Sequence, residues 1–232
     1  MAYDYLEADR RLDVSGSLPW KTRAEPLSGV VPAVLLGLGG RTLLHGAALQ
    51  AGGAAFALLG GSGQGKSTLA AALVREGGVL VSEDLLVPVR TAEGWRIEPG
   101  ARSLHLLADA FAALAPPGPR PVETRDGKYA VDCGDGPTHP VPLAGLCLLD
   151  PPAPGGAAEL RPLSGRRALM RLAEHLYGAW IRPPSEADLR LCAALVQEVG
   201  IWALSRPWGL EQVPGTAAML MRHFAASGLS SR

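Results

Sequence analysis

One stretch of nine residues limits the folds open to this chain more than any other: Gly60-Gly61-Ser62-Gly63-Gln64-Gly65-Lys66-Ser67-Thr68. It fits the pattern G-x-x-x-x-G-K-[ST] at every fixed position. Ala54 to Leu59 before it is an apolar run of strand length. Thr68 to Glu76 after it reads as a helix closed by Gly77-Gly78. Strand, glycine loop and helix together are the context this pattern requires. The glycines let the backbone turn tightly, and the turned amides form a nest for phosphate oxygens. The helix N-terminus adds unpaired N–H groups and the positive end of its dipole. Lys66 is placed to reach β and γ phosphates, the Ser67 hydroxyl to ligate Mg²⁺, and Thr68 to sit in the first helical turn. The expected ligand is a nucleoside triphosphate with Mg²⁺. The loop alone does not separate a kinase from an ATPase, a GTPase or a nucleotide sensor.

Length and charge narrow the classes. A chain of 232 residues can bury one substantial core. Its 22 Lys plus Arg balance 22 Asp plus Glu, so bulk charge gives no support for a nucleic-acid partner. Cys133, Cys147 and Cys192 are scattered, with no C-x-x-C pair, and read as free thiols in a reducing compartment. The N-terminus lacks an apolar signal core, and no apolar run reaches the ~18 residues needed to span a bilayer. These features read as a soluble, cytoplasmic protein without a membrane partner.

The pattern along the chain predicts an α/β fold with many short strands around the glycine loop and a helical C-terminal third. Residues 1–28 read as an extension with edge strands, and residues 29–232 as a single domain. Val30 to Leu38 and Thr42 to Leu49 are expected as a strand pair around Gly39-Gly40, with Gly52-Gly53 turning into the strand before the loop. Leu80 to Val87 reads as the next strand, running into a turn at Ser82-Glu83-Asp84, and Trp95 to Ile97 as a short strand. Leu104 to Leu114 carries helical spacing and stops at the loop Pro116-Pro117-Gly118-Pro119. Lys128 to Val131, Leu143 to Leu149 and Ile201 to Leu204 are strand-like. Arg166 to Trp180, Glu186 to Glu198 with Ser185 as N-cap, and Thr216 to Ala226 are expected helices.

Glu83 and Asp84 form a second constellation. On the strand after the loop helix, and on the same sheet edge if the sheet is parallel, they would face the phosphates. Asp84 is expected to hold Mg²⁺ and Glu83 to accept a proton from an attacking hydroxyl. His45, in Leu43-Leu44-His45-Gly46-Ala47, reads on its own as a structural histidine.

Taken together, Leu44-His45-Gly46, the loop Gly60 to Ser67, and Leu80-Val81-Ser82-Glu83-Asp84 resemble the catalytic domain of bacterial HPr kinase/phosphorylase. That family shows a His-Gly before the loop strand, a Gly-x-Ser-Gly-x-Gly-Lys-Ser loop, and an Ala-Asp-Asp at the same distance beyond. The fold the resemblance implies is the compact P-loop kinase domain similar to phosphoenolpyruvate carboxykinase. The activity it implies is ATP-dependent phosphorylation of a serine on a protein or peptide. By the same match Glu83 stands at the general base, Asp84 at the Mg²⁺ ligand, and His45 near the phosphates and metal. Pro99 to Leu104 is similar to a segment of short members, which implies that Arg102 neutralises charge on the transferring group. Three departures are visible: Glu83 stands where the family has Asp, and neither the separate N-terminal domain nor the phosphorylase motif is recognisable. Short stand-alone relatives include kinases encoded with lasso peptides, which phosphorylate a precursor peptide, and Arg206-Pro207-Trp208-Gly209-Leu210-Glu211 resembles their ending. HPr kinase forms hexamers, so the resemblance also brings in a homo-oligomer. The expected function is therefore a serine kinase acting on a peptide or small protein. A small-molecule kinase and a non-catalytic ATP-binding regulator stand as the alternatives.

Overall fold

The computed structural model describes residues 2–6, 11–17, 30–116, 121–124, 126–178 and 183–229. Its centre is a mixed eight-stranded sheet. Strands β3 (Leu44–Ala51), β4 (Ala54–Leu59), β5 (Val79–Leu86), β11 (Val141–Leu149), β12 (Glu159–Leu163) and β13 (Gly200–Ser205) lie in the order β12-β13-β11-β4-β3-β5. A side branch, β6 (Pro88–Thr91) and β7 (Gly94–Ile97), joins it through β11. Helices α2 (Lys66–Arg75), α3 (Ala108–Leu114) and α6 (Val213–Leu229) cover one face, packed on Leu49, Phe56, Leu58 and Cys147. Helices α4 (Gly165–Ala173) and α5 (Glu186–Glu198) cover the other, packed on Ala57, Leu59, Leu146 and Leu148. Burial on both faces explains why β4 is an unbroken apolar run rather than an alternating one. The three cysteines are unpaired. Among the described residues, no helix is long and apolar enough to cross a membrane.

Two smaller sheets complete the described residues. Strands β1 (Ala2–Leu6) and β2 (Arg11–Ser15) form an antiparallel pair within the stretch read as an extension. Strands β8 (Ser103–Leu106), β9 (Val122–Glu123) and β10 (Tyr129–Asp132) form a three-stranded sheet in the order β8-β10-β9. Most of the expected Pro/Gly loop after residue 116 and the expected helix end at Trp180 lie outside the described residues.

Several expectations match the structure. Gly52-Gly53 turns β3 into β4, with Ala51 opposite Ala54. Helix α5 has a complete capping box, in which Ser185 accepts from Asp188 N–H and Asp188 from the N-cap amide. Gly77, at φ 91°, closes α2, and the N–H groups of Gly77 and Gly78 bond Val74 and Leu73 carbonyls.

Others are corrected. Val30–Leu38 is helix α1, not a strand. Its uniformly apolar sequence carries no period, so strand and helix look alike. Pro32 falls in the first turn, where it has no intrahelical bond to lose. Gly39-Gly40 is its C-cap: Arg41 N–H bonds Leu36 carbonyl at 2.9 Å, Gly40 N–H bonds Gly37 carbonyl at 3.1 Å, and Gly40 has φ 76°. The expected helix from Leu104 to Leu114 is divided. Leu104 and Leu106 are buried as alternate residues of β8 before α3 begins at Ala108. Helix α4 stops at Ala173, seven residues short of its expected end, and Leu176 then bridges Leu44 as a short β-contact.

Strands β4 and β5 are not neighbours either. Strand β3 lies between them, antiparallel to both, so β4 and β5 run the same way and finish on the same sheet edge. Gly46 is level with Leu59 on one side and Asp84 on the other. It must be glycine for space: a Cβ there would stand 2.5 Å from the Leu58 carbonyl and 2.5 Å from Leu59 Cδ2.

Candidate functional site

The loop between β4 and α2 opens on a cleft of about 650 Å³. Gly63 and Gly65 have φ of 76° and 73°, and Gly65 is the N-cap of α2. Such left-handed turns suit glycine. The Gln64 side chain ties the loop internally by accepting from Gly61 N–H at 2.6 Å. Lys66 Nζ donates to the carbonyls of Gly60, at 2.8 Å, and Gly61, at 3.2 Å. Burial lowers the Lys66 pKa, and the nearby Glu83 and Asp84 oppose that shift.

Across the loop stands β5, which runs through Glu83 and Asp84 instead of turning there. The turn expected from the sequence survives as a kink inside the strand. Asp84 has φ 67°, the one non-glycine positive φ among the described residues, and Ser82 Oγ donates to Leu85 carbonyl at 2.6 Å across it. A left-handed non-glycine residue is uncommon and strained. The kink interrupts the alternation that would send consecutive side chains to opposite faces of the sheet. The outer edge of β5 is paired by the segment after β7, with Glu83 N–H bonding Ala101 carbonyl and Gly100 N–H bonding Val81 carbonyl.

The two acids sit in different surroundings. Glu83 is 7 % exposed and accepts from Ser67 Oγ at 2.6 Å through Oε1. Its Oε2 is buried without a hydrogen-bond partner. Burial pushes its carboxyl up to about 7; the Ser67 bond works against that rise, Asp84 adds to it and Lys66 opposes it. The Asp84 side chain is 44 % exposed, with Oδ1 3.4 Å from His45 Nδ1 and Oδ2 3.5 Å from the Tyr177 hydroxyl. Tyr177 lies parallel to the His45 ring, centroids 5.5 Å apart. Burial lowers the His45 pKa; the Lys66 charge adds to this and Asp84 opposes it.

The structure therefore brings His45, Lys66, Ser67, Glu83 and Asp84 to one cleft, together with Ser62, Gly63, Gly65 and Thr68 of the loop. Arg102 is not among them, contrary to the sequence expectation. Its side chain donates to Gly134 carbonyl at 3.2 Å and Pro137 carbonyl at 3.3 Å, and it lines a separate hollow beside Asp132. It staples the segment after β10 and points no charge at the loop.

Two contributors had no role at the site in the sequence reading. Arg206 lies behind the loop, donating to the Gln64 carbonyl and, at 3.1 Å, to the Asp150 carbonyl. Tyr177 arrives on the segment after α4, held by its N–H to Leu43 carbonyl and by His45 N–H to His175 carbonyl, each 2.8 Å. No local signal places either at the loop, because each reaches the site through long-range backbone pairing. Arg206 belongs to the segment Arg206 to Glu211 that resembles the ending of the short relatives, and Trp208 of that segment is 68 % exposed.

No protein-family profile matches the chain, and no curated protein matches it. Among solved structures, the chain is similar to the HPr(Ser) kinase/phosphatase from Coxiella burnetii. The two are 12 % identical, the match covers 78 % of this chain and 94 % of the other, and the TM-score is 0.40.

Proposed function

We propose that this chain is an ATP-dependent phosphotransferase that acts on a hydroxyl of a peptide or small protein, a serine by the sequence resemblance, with lasso-type precursor peptides as the first class to test. The observation that carries the reading is the meeting of a glycine loop, Lys66, Ser67 and two acids of unlike environment at one helix N-terminus. The loop amides and the α2 dipole would bind the phosphates. Lys66 would leave the Gly60 and Gly61 carbonyls to neutralise the transferring group.

A hard divalent cation fits the cleft. The unpartnered Oε2 of Glu83 and the adjacent Ser67 hydroxyl are oxygen donors that a Mg²⁺ held mainly by phosphates and water could share. When bound, Mg²⁺ would supply charge neutralisation between the phosphates.

We assign the acids the opposite way from the sequence expectation. A base must reach the proton it removes. The Asp84 side chain is 44 % exposed to the cleft, whereas Glu83 is 7 % exposed, with Oε1 taken by Ser67 and Oε2 buried. Asp84 would thus accept the proton as the acceptor oxygen bonds to the γ-phosphorus and the bond to the ADP oxygen breaks. His45 and Tyr177 would hold the Asp84 carboxylate in place, and Glu83 would serve the cation and Ser67.

Asp84→Asn tests this. Transfer from labelled ATP to a panel of peptides should fall about 10²–10⁴-fold while nucleotide affinity is retained. Near wild-type turnover would overturn the base assignment. The same panel extended to free metabolites identifies a small-molecule kinase if only a metabolite drives ADP formation. ATP binding with no transfer to any acceptor would point to a regulator.

A further inference from the structure

Helix α4 carries Arg166, Arg167 and Arg171 on nine residues and no acid in its first turn. Arg166 and Arg167 stand at the start of the helix, where a positive side chain opposes the dipole. Both are exposed and make no ion pair or hydrogen bond among the described residues. In a chain whose total formal charge is zero, this is a concentrated and uncompensated charge.

The arginines line a shallow groove together with Met170, 55 % exposed, and Glu174 at the C-terminal end of α4. Arg171 bonds Asp150 Oδ1 at 2.9 Å, which joins the groove to the segment that Arg206 ties to the glycine loop. At its C-terminal end, α4 runs through residues 174–176 to Tyr177, beside Asp84. The groove is thus linked to the loop through Asp150 and Arg206, and the chain beyond it places the Tyr177 hydroxyl 3.5 Å from Asp84 Oδ2.

We propose that this groove docks an acidic segment of the polypeptide acceptor. Nine helical residues extend about 14 Å, at about 1.5 Å each, which matches four extended peptide residues at about 3.3 Å each. Carboxylates on that segment would pair with Arg166 and Arg167, and Met170 would contact an apolar side chain between them. Guanidinium groups suit carboxylates through paired N–H donors. The proposal rests on the phosphotransferase reading for the identity of the segment, but its charge argument does not.

The test uses the full chain and a fluorescein-labelled peptide of twelve glutamates and leucines, followed by anisotropy. A lysine–leucine peptide and a single-stranded oligonucleotide of twelve nucleotides serve as comparisons. The acidic peptide should bind, weaken as salt rises from 50 to 300 mM, and lose at least tenfold in affinity in Arg166→Glu/Arg167→Glu. The milder Arg166→Ala/Arg167→Ala should show an intermediate loss, and both variants should keep the wild-type melting temperature and ATP affinity. No binding of the acidic peptide, equal binding by the variants, or equally tight arginine-dependent binding of the oligonucleotide would each overturn the docking proposal. If the peptide binds as expected but MgATP does not bind at all, the phosphotransferase reading fails and the acidic-segment surface remains.

Discussion

The buried Glu83 carboxyl links stability to pH in a way that one substitution isolates. In the nucleotide-free protein its pKa rises from an ordinary 4.5 to about 7, chiefly through burial. Between those values the folded chain holds a proton that the unfolded chain has released. The stabilisation associated with that proton is complete below pH 4.5 and is lost as pH rises through 7. Each pH unit in that interval carries about 1.4 kcal/mol, so the whole effect is about 3 kcal/mol. Glu83→Gln imitates the protonated acid at every pH: it keeps an acceptor for Ser67 and places a donor where Oε2 lies buried. Variant and wild type should therefore be close in stability at pH 5. At pH 8 the variant should be more stable by about 3 kcal/mol, or on the order of 6–12 °C in melting temperature for a chain of this size. Urea and thermal unfolding in EDTA, from pH 5 to 8, measure the gap directly. The lowered pKa values of His45 and His175 act in both proteins and largely cancel in the difference. A gap that stays constant across this range would refute the reasoning, since an accessible or well-partnered carboxylate gives no such slope. Adding MgATP at pH 8 should raise the wild-type melting temperature more than that of the variant, because only the wild type offers the cation a carboxylate at position 83.

Two further substitutions test the scaffold. Gly46→Ala should lower stability by about 1–3 kcal/mol, read from the urea midpoint, because the added Cβ meets backbone on one side and Leu59 on the other; an unchanged midpoint would show that β3 can move away. Arg206→Ala should weaken ATP binding roughly tenfold or more, measured by calorimetry, by releasing the Gln64 carbonyl at the centre of the loop; unchanged affinity would show that the loop holds its shape without that bond.

How much of this was legible in the sequence follows from the range over which each signal acts. The glycine loop, β4 and α2 are contiguous, so composition, spacing and flanking pattern all lie within about twenty residues. The capping box at Ser185 and Asp188 is equally local. That Glu83 reaches Ser67 was half legible: the spacing brought the acids near the loop, but the intervening antiparallel strand and the Asp84 kink decide which acid turns inward. Helix α1 was missed because an apolar run with no polar face has no period to read. Arg102 and Arg206 look alike as isolated arginines. Only the pairing of Cys133 N–H with the Arg102 carbonyl, and of β13 with β11, sends one to a distant loop and the other beneath Gln64.

The strand between the loop and the acids acts as a spacer of set width. Hydrogen bonds join β3 to β4 on one side and to β5 on the other, and Gly46 has no side chain with which to spread them. The backbone separation of Leu59 and Asp84 is then insensitive to what either strand carries. Reach across the cleft is adjusted by side-chain length alone. A glutamate at position 83 is long enough to close on Ser67, and a shorter aspartate on the same rigid frame would end before it. Substituting between those two acids would retune the contact with Ser67 while the strands stay where they are, which makes this position a place where the chemistry of the cleft can change without any change in the fold.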